Sequence, residues 1–277
     1  MFKQIATLIL TGISFSCFAQ RSMPIEKLQP IIELLQVEAN ILLTYEVSTQ
    51  SALLMAKKGK IIFNDFLTYQ NKDSTFVLFL SKKKQCKLEY LFLNDNKKPH
   101  SHSIRMRALD DKEAKLLDLK ENLIQKAEVL SEDSIKAEKG FELHSLLIPL
   151  QEEYRLYYLT ATNKDSLFPS GNDYLFVFNK DRELVDQTHL LFRPYSLKRE
   201  DQTYGSKILG ISYPLDSRNG LSSLPIYICK FRIYNKNIGI SEFRASWDRR
   251  HFTYNAGTNQ LKIHLFYNEK MSPKYRK

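Results

Sequence analysis

The chain has 277 residues, of which 43% are hydrophobic and 26% are charged, and its formal net charge is +10 at pH 7. This composition is ordinary for a globular protein and excludes an intrinsically disordered chain or a low-complexity stalk. The excess of basic residues indicates solubility first, and attraction to an anionic partner second.

Residues 1–19 are typical of a secretory signal. Lys3 gives the start a positive charge, residues 5–18 carry no charge, and Cys17 and Ala19 place small residues before a predicted cut between Ala19 and Gln20. The apolar run is shorter than the roughly 20 residues that span a bilayer. An uncleaved membrane anchor and a lipidated Cys17 are the alternatives. We expect an exported protein, in the periplasm or on the surface of a bacterium with an outer membrane, and no nucleic-acid partner.

The N-terminal half predicts two helices separated by strands. Apolar residues recur at three- and four-residue steps over residues 24–43 and again over 110–130, where Asp110 and Asp111 favour a helix start. Strands are predicted between the two helices, at residues 52–56, 60–68, 75–80 and 87–93.

The C-terminal half predicts a succession of short strands. The clearest is 226–234, where the side chains sort into two faces at alternating positions. No long linker divides the chain, and the charged stretch 131–140 is the only candidate seam. The sequence therefore predicts an α+β fold, mainly antiparallel β-sheet with two helices in the N-terminal half, formed by residues 20–277 as a single domain.

Asp173 and His189 form the candidate catalytic pair. Asp173 follows Gly171 and Asn172, and His189 comes after the next predicted strand. If the two strands form a hairpin, the carboxylate orients the imidazole as a general base, with or without a metal ion. Turn formation is the alternative role for this Gly-Asn-Asp sequence, because these residues accept backbone angles that others avoid and no nucleophile is identifiable nearby.

Two further groups of residues are candidate binding sites. Trp247 and Tyr254 are candidates for stacking against a sugar, with Arg249 and Arg250 beside them, although packing in a core is the alternative. The sequence His100-Ser101-His102 places two rings on one face of a strand, but a metal site needs a third ligand. Motifs for serine hydrolases, zinc proteases, phosphate-binding loops and Cys-x-x-Cys sites are missing from the sequence, so no cofactor is predicted.

Two cysteines remain beyond the signal. Cys86 and Cys229 both lie in predicted strands. An oxidising compartment permits a disulfide between them, and two buried free thiols fit equally well.

One segment resembles a known group of proteins. Tyr-Tyr-Leu-Thr-Ala-Thr at 157–162, Gly-Asn-Asp-Tyr-Leu-Phe at 171–176 and His189 resemble a pattern in exported, uncharacterised proteins of Bacteroidota. The resemblance implies export from a bacterium with an outer membrane and nothing about chemistry. Our functional prediction is an exported, non-catalytic binding protein for an anionic glycan, a lipid head group or an envelope protein. The alternative is a periplasmic hydrolase that uses Asp173 and His189.

Overall fold

The computed structural model describes residues 25–93, 98–131, 135–137, 139–162, 167–168, 172–190, 195–196, 210–214, 220–238, 242–247 and 250–265. The predicted signal, residues 1–19, lies outside the described residues, so export stays a prediction.

The first helix, α1 (Ile25–Lys58), is longer than the sequence predicted. The helix predicted over 24–43 is confirmed from Ile25 onward, but residues 52–56, predicted as a strand, continue the same helix. A Schellman motif ends it: the amides of Ile61 and Lys60 donate to the carbonyls of Ala56 and Lys57, and Lys60 adopts a positive φ of 53°.

The second helix, α2 (Asp111–Leu130), is confirmed with its predicted start. Asp110 accepts a hydrogen bond from the amide of Glu113, and Glu113 accepts one from the amide of Asp110. This reciprocal capping box satisfies two backbone donors that the first turn leaves without helical partners.

The third helix, α3 (Leu224–Ile238), was not predicted. It occupies residues 226–234, where alternation favoured a strand, so that prediction was wrong. The α+β class and the predominance of antiparallel pairs are confirmed. The description with two helices was incomplete, because this third helix lies in the C-terminal half.

The described strands form three four-stranded sheets and one two-stranded ribbon. The first sheet is antiparallel, in the order β1 (Asp65–Asn71), β2 (Ser74–Leu80), β3 (Cys86–Leu93) and β4 (Ser101–Ser103). The second is antiparallel, in the order β5 (Glu142–Pro149), β6 (Glu153–Ala161), β8 (Asp173–Asn179) and β9 (Leu184–Leu190). The third pairs β11 (Gly210–Pro214) parallel to β12 (Glu242–Trp247), followed by β13 (Arg250–Asn255) and β14 (Gln260–Leu265). The ribbon pairs β7 (Leu167–Phe168) with β10 (Tyr195–Ser196).

The second sheet is buried on both faces. One face packs with α1, α3 and the third sheet in the largest apolar cluster, which includes Tyr157 and Leu175. The other face packs against α2 through residues such as Tyr158 and Phe176. The C-terminal part of α1 covers the first sheet as well. Helix α1 therefore contacts all three four-stranded sheets, and polar side chains on its inner face lie deep in the protein.

Candidate functional site

The predicted pair Asp173 and His189 is not brought together. In the register of β8 and β9, Asp173 is opposite Leu190, and Tyr174 is opposite His189. Directly opposed residues share a face of a sheet and successive residues alternate between faces, so Asp173 and His189 project from opposite faces. The His189 ring stacks on Tyr174, with ring centroids 4.1 Å apart. In this register Asp173 cannot orient His189 as a general base, as the hydrolase hypothesis required.

Asp173 instead forms a buried ion pair with α3. Its Oδ2 lies 2.6 Å from the Lys230 Nζ, and the two side chains are 2% and 3% exposed. Its Oδ1 accepts a hydrogen bond of 2.7 Å from the Thr160 amide. The preceding Asn172 has a φ of 50°, the left-handed conformation that asparagine tolerates better than most residues. The backbone of Asn172 matches the turn role that the sequence left open, whereas the Asp173 carboxylate joins α3 to the sheet.

A second buried charge pair joins α1 to the same sheet. Glu38 accepts hydrogen bonds from Arg155 and from the Tyr157 hydroxyl, both on β6. The Arg155 Nε also donates to Glu153 at 2.6 Å. Burial raises the pKa of Glu38, and the positive charge of Arg155 opposes that rise.

A third group, the His144 chain, runs from the core to the surface through Glu46, His144, Glu142 and Lys57. The His144 Nδ1 lies 2.9 Å from Glu46 Oε1, and its Nε2 lies 3.7 Å from Glu142 Oε2. Lys57 pairs with Glu142 at the exposed end. Gln50 donates to the same Glu46 oxygen at 2.7 Å. The chain therefore places one imidazole between two carboxylates.

The charges in the His144 chain favour the protonated form of His144. Burial opposes the charge on His144, but the Glu46 and Glu142 carboxylates outweigh it and raise its pKa to about 9. The nearby His144 imidazole and the ion pair with Lys57 lower the pKa of Glu142 to about 2, and burial opposes this change. At neutral pH an imidazolium therefore bridges α1 and β5.

These buried charges hold helices against a sheet, and no activated nucleophile accompanies them among the described residues. Burial raises the pKa of the Cys229 thiol, which makes it less reactive. Glu38 and Glu46 were not predicted as buried residues, because acidic residues are normally assigned to the solvent-facing side of a helix. The signal that was present is spacing: both fall on the stripe that contains Leu35 and Leu42 at three- and four-residue steps.

The two cysteines are free. Cys86 lies in the cluster between the first sheet and α2, and Cys229 lies in the cluster around α1 and α3. The sequence left open a disulfide or two buried free thiols, and in the structure both cysteines are buried free thiols. Burial raises the pKa of Cys86 to about 11.

Tyr254, which was predicted to stack against a sugar, is not on the surface of the protein. Its ring is fully buried beside Phe231, with centroids 6.3 Å apart, and its hydroxyl donates to Asn259 at 2.8 Å. Tyr254 is therefore a core residue, which was the alternative. In the strand register, Trp247 of β12 is paired with Arg250 of β13, and Arg249 lies outside the described residues.

An exposed basic segment runs along the outer edge of the first sheet. We call residues 98–106 the β4 segment, because it contains β4. Every residue in it except Pro99 is exposed. It contains Lys98, Arg105 and two histidines, His100 and His102, and it has no acidic residue. Neither Lys98 nor Arg105 has an ion pair with another residue that the structure describes.

The next residue along the chain is a contrasting case. Arg107 donates to Glu113 at 2.6 Å and also pairs with Glu89 at 2.5 Å, so its charge is used inside the protein. The bridge between Arg107 and Cys86 also brings the β4 segment close in the fold to the exposed turn of three lysines at 82–84. The lysine turn and the Arg105 end of the β4 segment therefore lie toward the same end of β3.

The histidines of the β4 segment do not complete a metal site within the described residues, where no group of three or more histidine, cysteine or acidic side chains is arranged to hold an ion. Both His100 and His102 are exposed. The His102 ring lies over Tyr90, with centroids 5.9 Å apart. This contact orients one imidazole at the sheet edge.

Comparison with protein-family models, curated proteins and solved structures gives no match. Among the described residues, no helix is both long enough and apolar enough to cross a bilayer.

Proposed function

We propose that this is an exported, non-catalytic binding protein with an anionic partner, and that the partner contacts the β4 segment. The observation that carries the proposal is the concentration of exposed cations at the edge of the first sheet. Lys98 and Arg105 remain available to a partner, whereas Arg107 is neutralised internally. The net charge is +10 for the full chain, and without Lys3 it is 40 − 31 = +9; this charge adds long-range attraction to anions, which raises the rate of encounter.

The export part of the proposal rests on the signal-like residues 1–19, and the non-catalytic part on the separation of Asp173 from His189. An acidic glycan, a phosphorylated lipid head group and an acidic protein all provide the negative charge that the segment requires. Exposed cations bind such groups through charge-assisted hydrogen bonds, which weaken as salt screens them.

The test is a binding screen of the purified protein with acidic and neutral glycans and with anionic and zwitterionic vesicles, read by thermal shift. A ligand at one hundred times its dissociation constant adds about 2.7 kcal/mol to stability. We expect shifts with anions that disappear as salt rises from about 0.05 M to about 0.5 M.

A charge-matched pair of variants locates the site. Lys98→Glu with Arg105→Glu reverses two charges in the β4 segment. Lys58→Glu with Lys262→Glu reverses two exposed charges elsewhere and changes the net charge by the same amount. We expect the first variant to lose anion binding and the second to retain most of it. If both variants lost anion binding equally, binding would depend on net charge alone, and the β4 segment would not be the binding site.

A further inference from the structure

Strand β4 is the last strand of the first sheet. It pairs with β3 from Glu89 opposite Ser103 to Leu91 opposite Ser101. No other described strand pairs with it, so one side of its backbone has no strand partner within the described part of the chain. An open edge of this kind offers amide and carbonyl groups to an added strand.

Large apolar side chains lie beside this edge. Ile104 is 67% exposed and Met106 is 56% exposed, and they flank Arg105. Exposed apolar side chains gain by contact with other apolar groups, which a sulfated sugar or an inorganic anion does not provide. The combination of an open backbone edge, apolar side chains and cations fits a peptide better than it fits a glycan or a lipid head group.

The charges on this edge also decide which peptide fits. Cations on an edge strand discourage a second copy of the same edge, because like charges would be brought together. The same cations favour a strand that has acidic residues. The basic residues of this edge therefore disfavour a second copy of the edge and favour an acidic partner strand.

We propose that the β4 edge binds an extended acidic segment of a partner protein by strand addition. This inference rests on the proposed function and specifies its partner. The added segment pairs its backbone with β4, places an acidic side chain near Arg105, and places apolar side chains against Ile104 and Met106. Because Arg105 lies between these two apolar residues in the sequence, the segment alternates acidic and apolar residues.

The first test uses a labelled peptide of about eight residues, within the usual length of a strand, that alternates glutamate and valine. The comparison ligands are the same peptide N-methylated at every residue, which keeps the charge and removes the backbone donors, and a sulfated oligosaccharide of equal charge. Binding to the full protein is measured by fluorescence anisotropy. We expect the unmodified peptide to bind at least about tenfold more tightly than either comparison ligand, the scale of one or two net hydrogen bonds.

The second test uses matched apolar variants. Ile104→Ser with Met106→Ser should weaken peptide binding by about tenfold, whereas Val129→Ser with Val185→Ser, which changes two other exposed apolar side chains, should not. Circular dichroism confirms that each variant is folded. Amide hydrogen exchange should show new protection when the peptide is bound, at those amides of β4 that point away from β3.

The outcomes separate the two proposals. If the N-methylated peptide, the oligosaccharide or anionic vesicles bind as tightly as the unmodified peptide, strand addition is wrong and anion binding stands. If no anion binds, both proposals fail. A dimer that forms through this edge and excludes the peptide would also overturn strand addition.

Discussion

Replacing His144 with glutamine removes the base that lies between Glu46 and Glu142. The folded-state pKa of His144 is about 9, against an ordinary value of 6.5. A tenfold change in proton affinity is about 1.4 kcal/mol, so the charged imidazole stabilises the fold by about 3 kcal/mol. Because the pKa is raised by folding, this stabilisation is complete below pH 6.5 and disappears as the pH rises through about 9.

The assay is urea unfolding of the two proteins between about pH 6 and about pH 8.5, a window in which roughly 2 kcal/mol of this stabilisation should be lost. The wild-type protein should lose that much more stability over the window than His144→Gln. The glutamine variant should be less stable by about 3 kcal/mol at the lower pH, where Glu46 stays buried without its cation.

Two controls sharpen this experiment. Adding Glu46→Gln to His144→Gln removes both charges and should recover part of the loss, because neither partner then remains alone in the core. Arg244→Ala breaks the exposed pair with Glu242 and should cost less than about 1 kcal/mol at either pH. If wild type and His144→Gln lose the same stability over the window, the imidazole is not held in its charged form and the reasoning is refuted.

Two more predictions concern buried groups. Lys230→Met should destabilise the protein by about 3 kcal/mol or more in urea unfolding, because the Asp173 carboxylate stays buried without the ammonium; a cost below about 1 kcal/mol would show that the pair is solvated. Cys86 and Cys229 should resist a maleimide reagent in the folded protein and react after unfolding, since both thiols are buried with raised pKa values. Rapid labelling of either thiol under native conditions would contradict the packing around it.

The sequence predicted elements best where local signals agreed. Helix α2 has an apolar stripe and a capping box from Asp110 and Glu113, and both its type and its start were predicted. Helix α1 was predicted only in its first part. Residues 52–56 are a short apolar run, which fits a strand and a buried helix equally well, and the packing of α1 on the first sheet decides for the helix.

Helix α3 was not predicted because its N-terminal part is buried on all sides, so its sequence there lacks the alternation of apolar and polar faces that marks a surface helix. Residues 223–231 are buried without interruption, so no polar stripe marks a solvent-facing side. The remaining pattern at 226–234 happened to alternate, and alternation favours a strand. The correct fold follows from the layers on both sides of the helix, which lie far away in the sequence.

The candidate sites were predictable to different degrees. Net charge and the absence of motifs pointed to an anionic partner, but the sequence spread the basic clusters along the chain. The structure distinguishes Arg105 from Arg107 because only the fold brings Glu89 and Glu113 to one of them. Asp173 and His189 lie on neighbouring strands, but the strand register makes their side chains project from opposite faces of the sheet, so they do not pair.

The proposed binding site is tested most directly by amide hydrogen exchange of the whole protein with and without a bound anionic ligand. We predict new protection in the β4 segment, and no comparable change at β12 and β13, where Trp247 and Arg250 lie. Protection at β12 and β13 with none at residues 98–106 would contradict it and move the binding site to the opposite half of the chain.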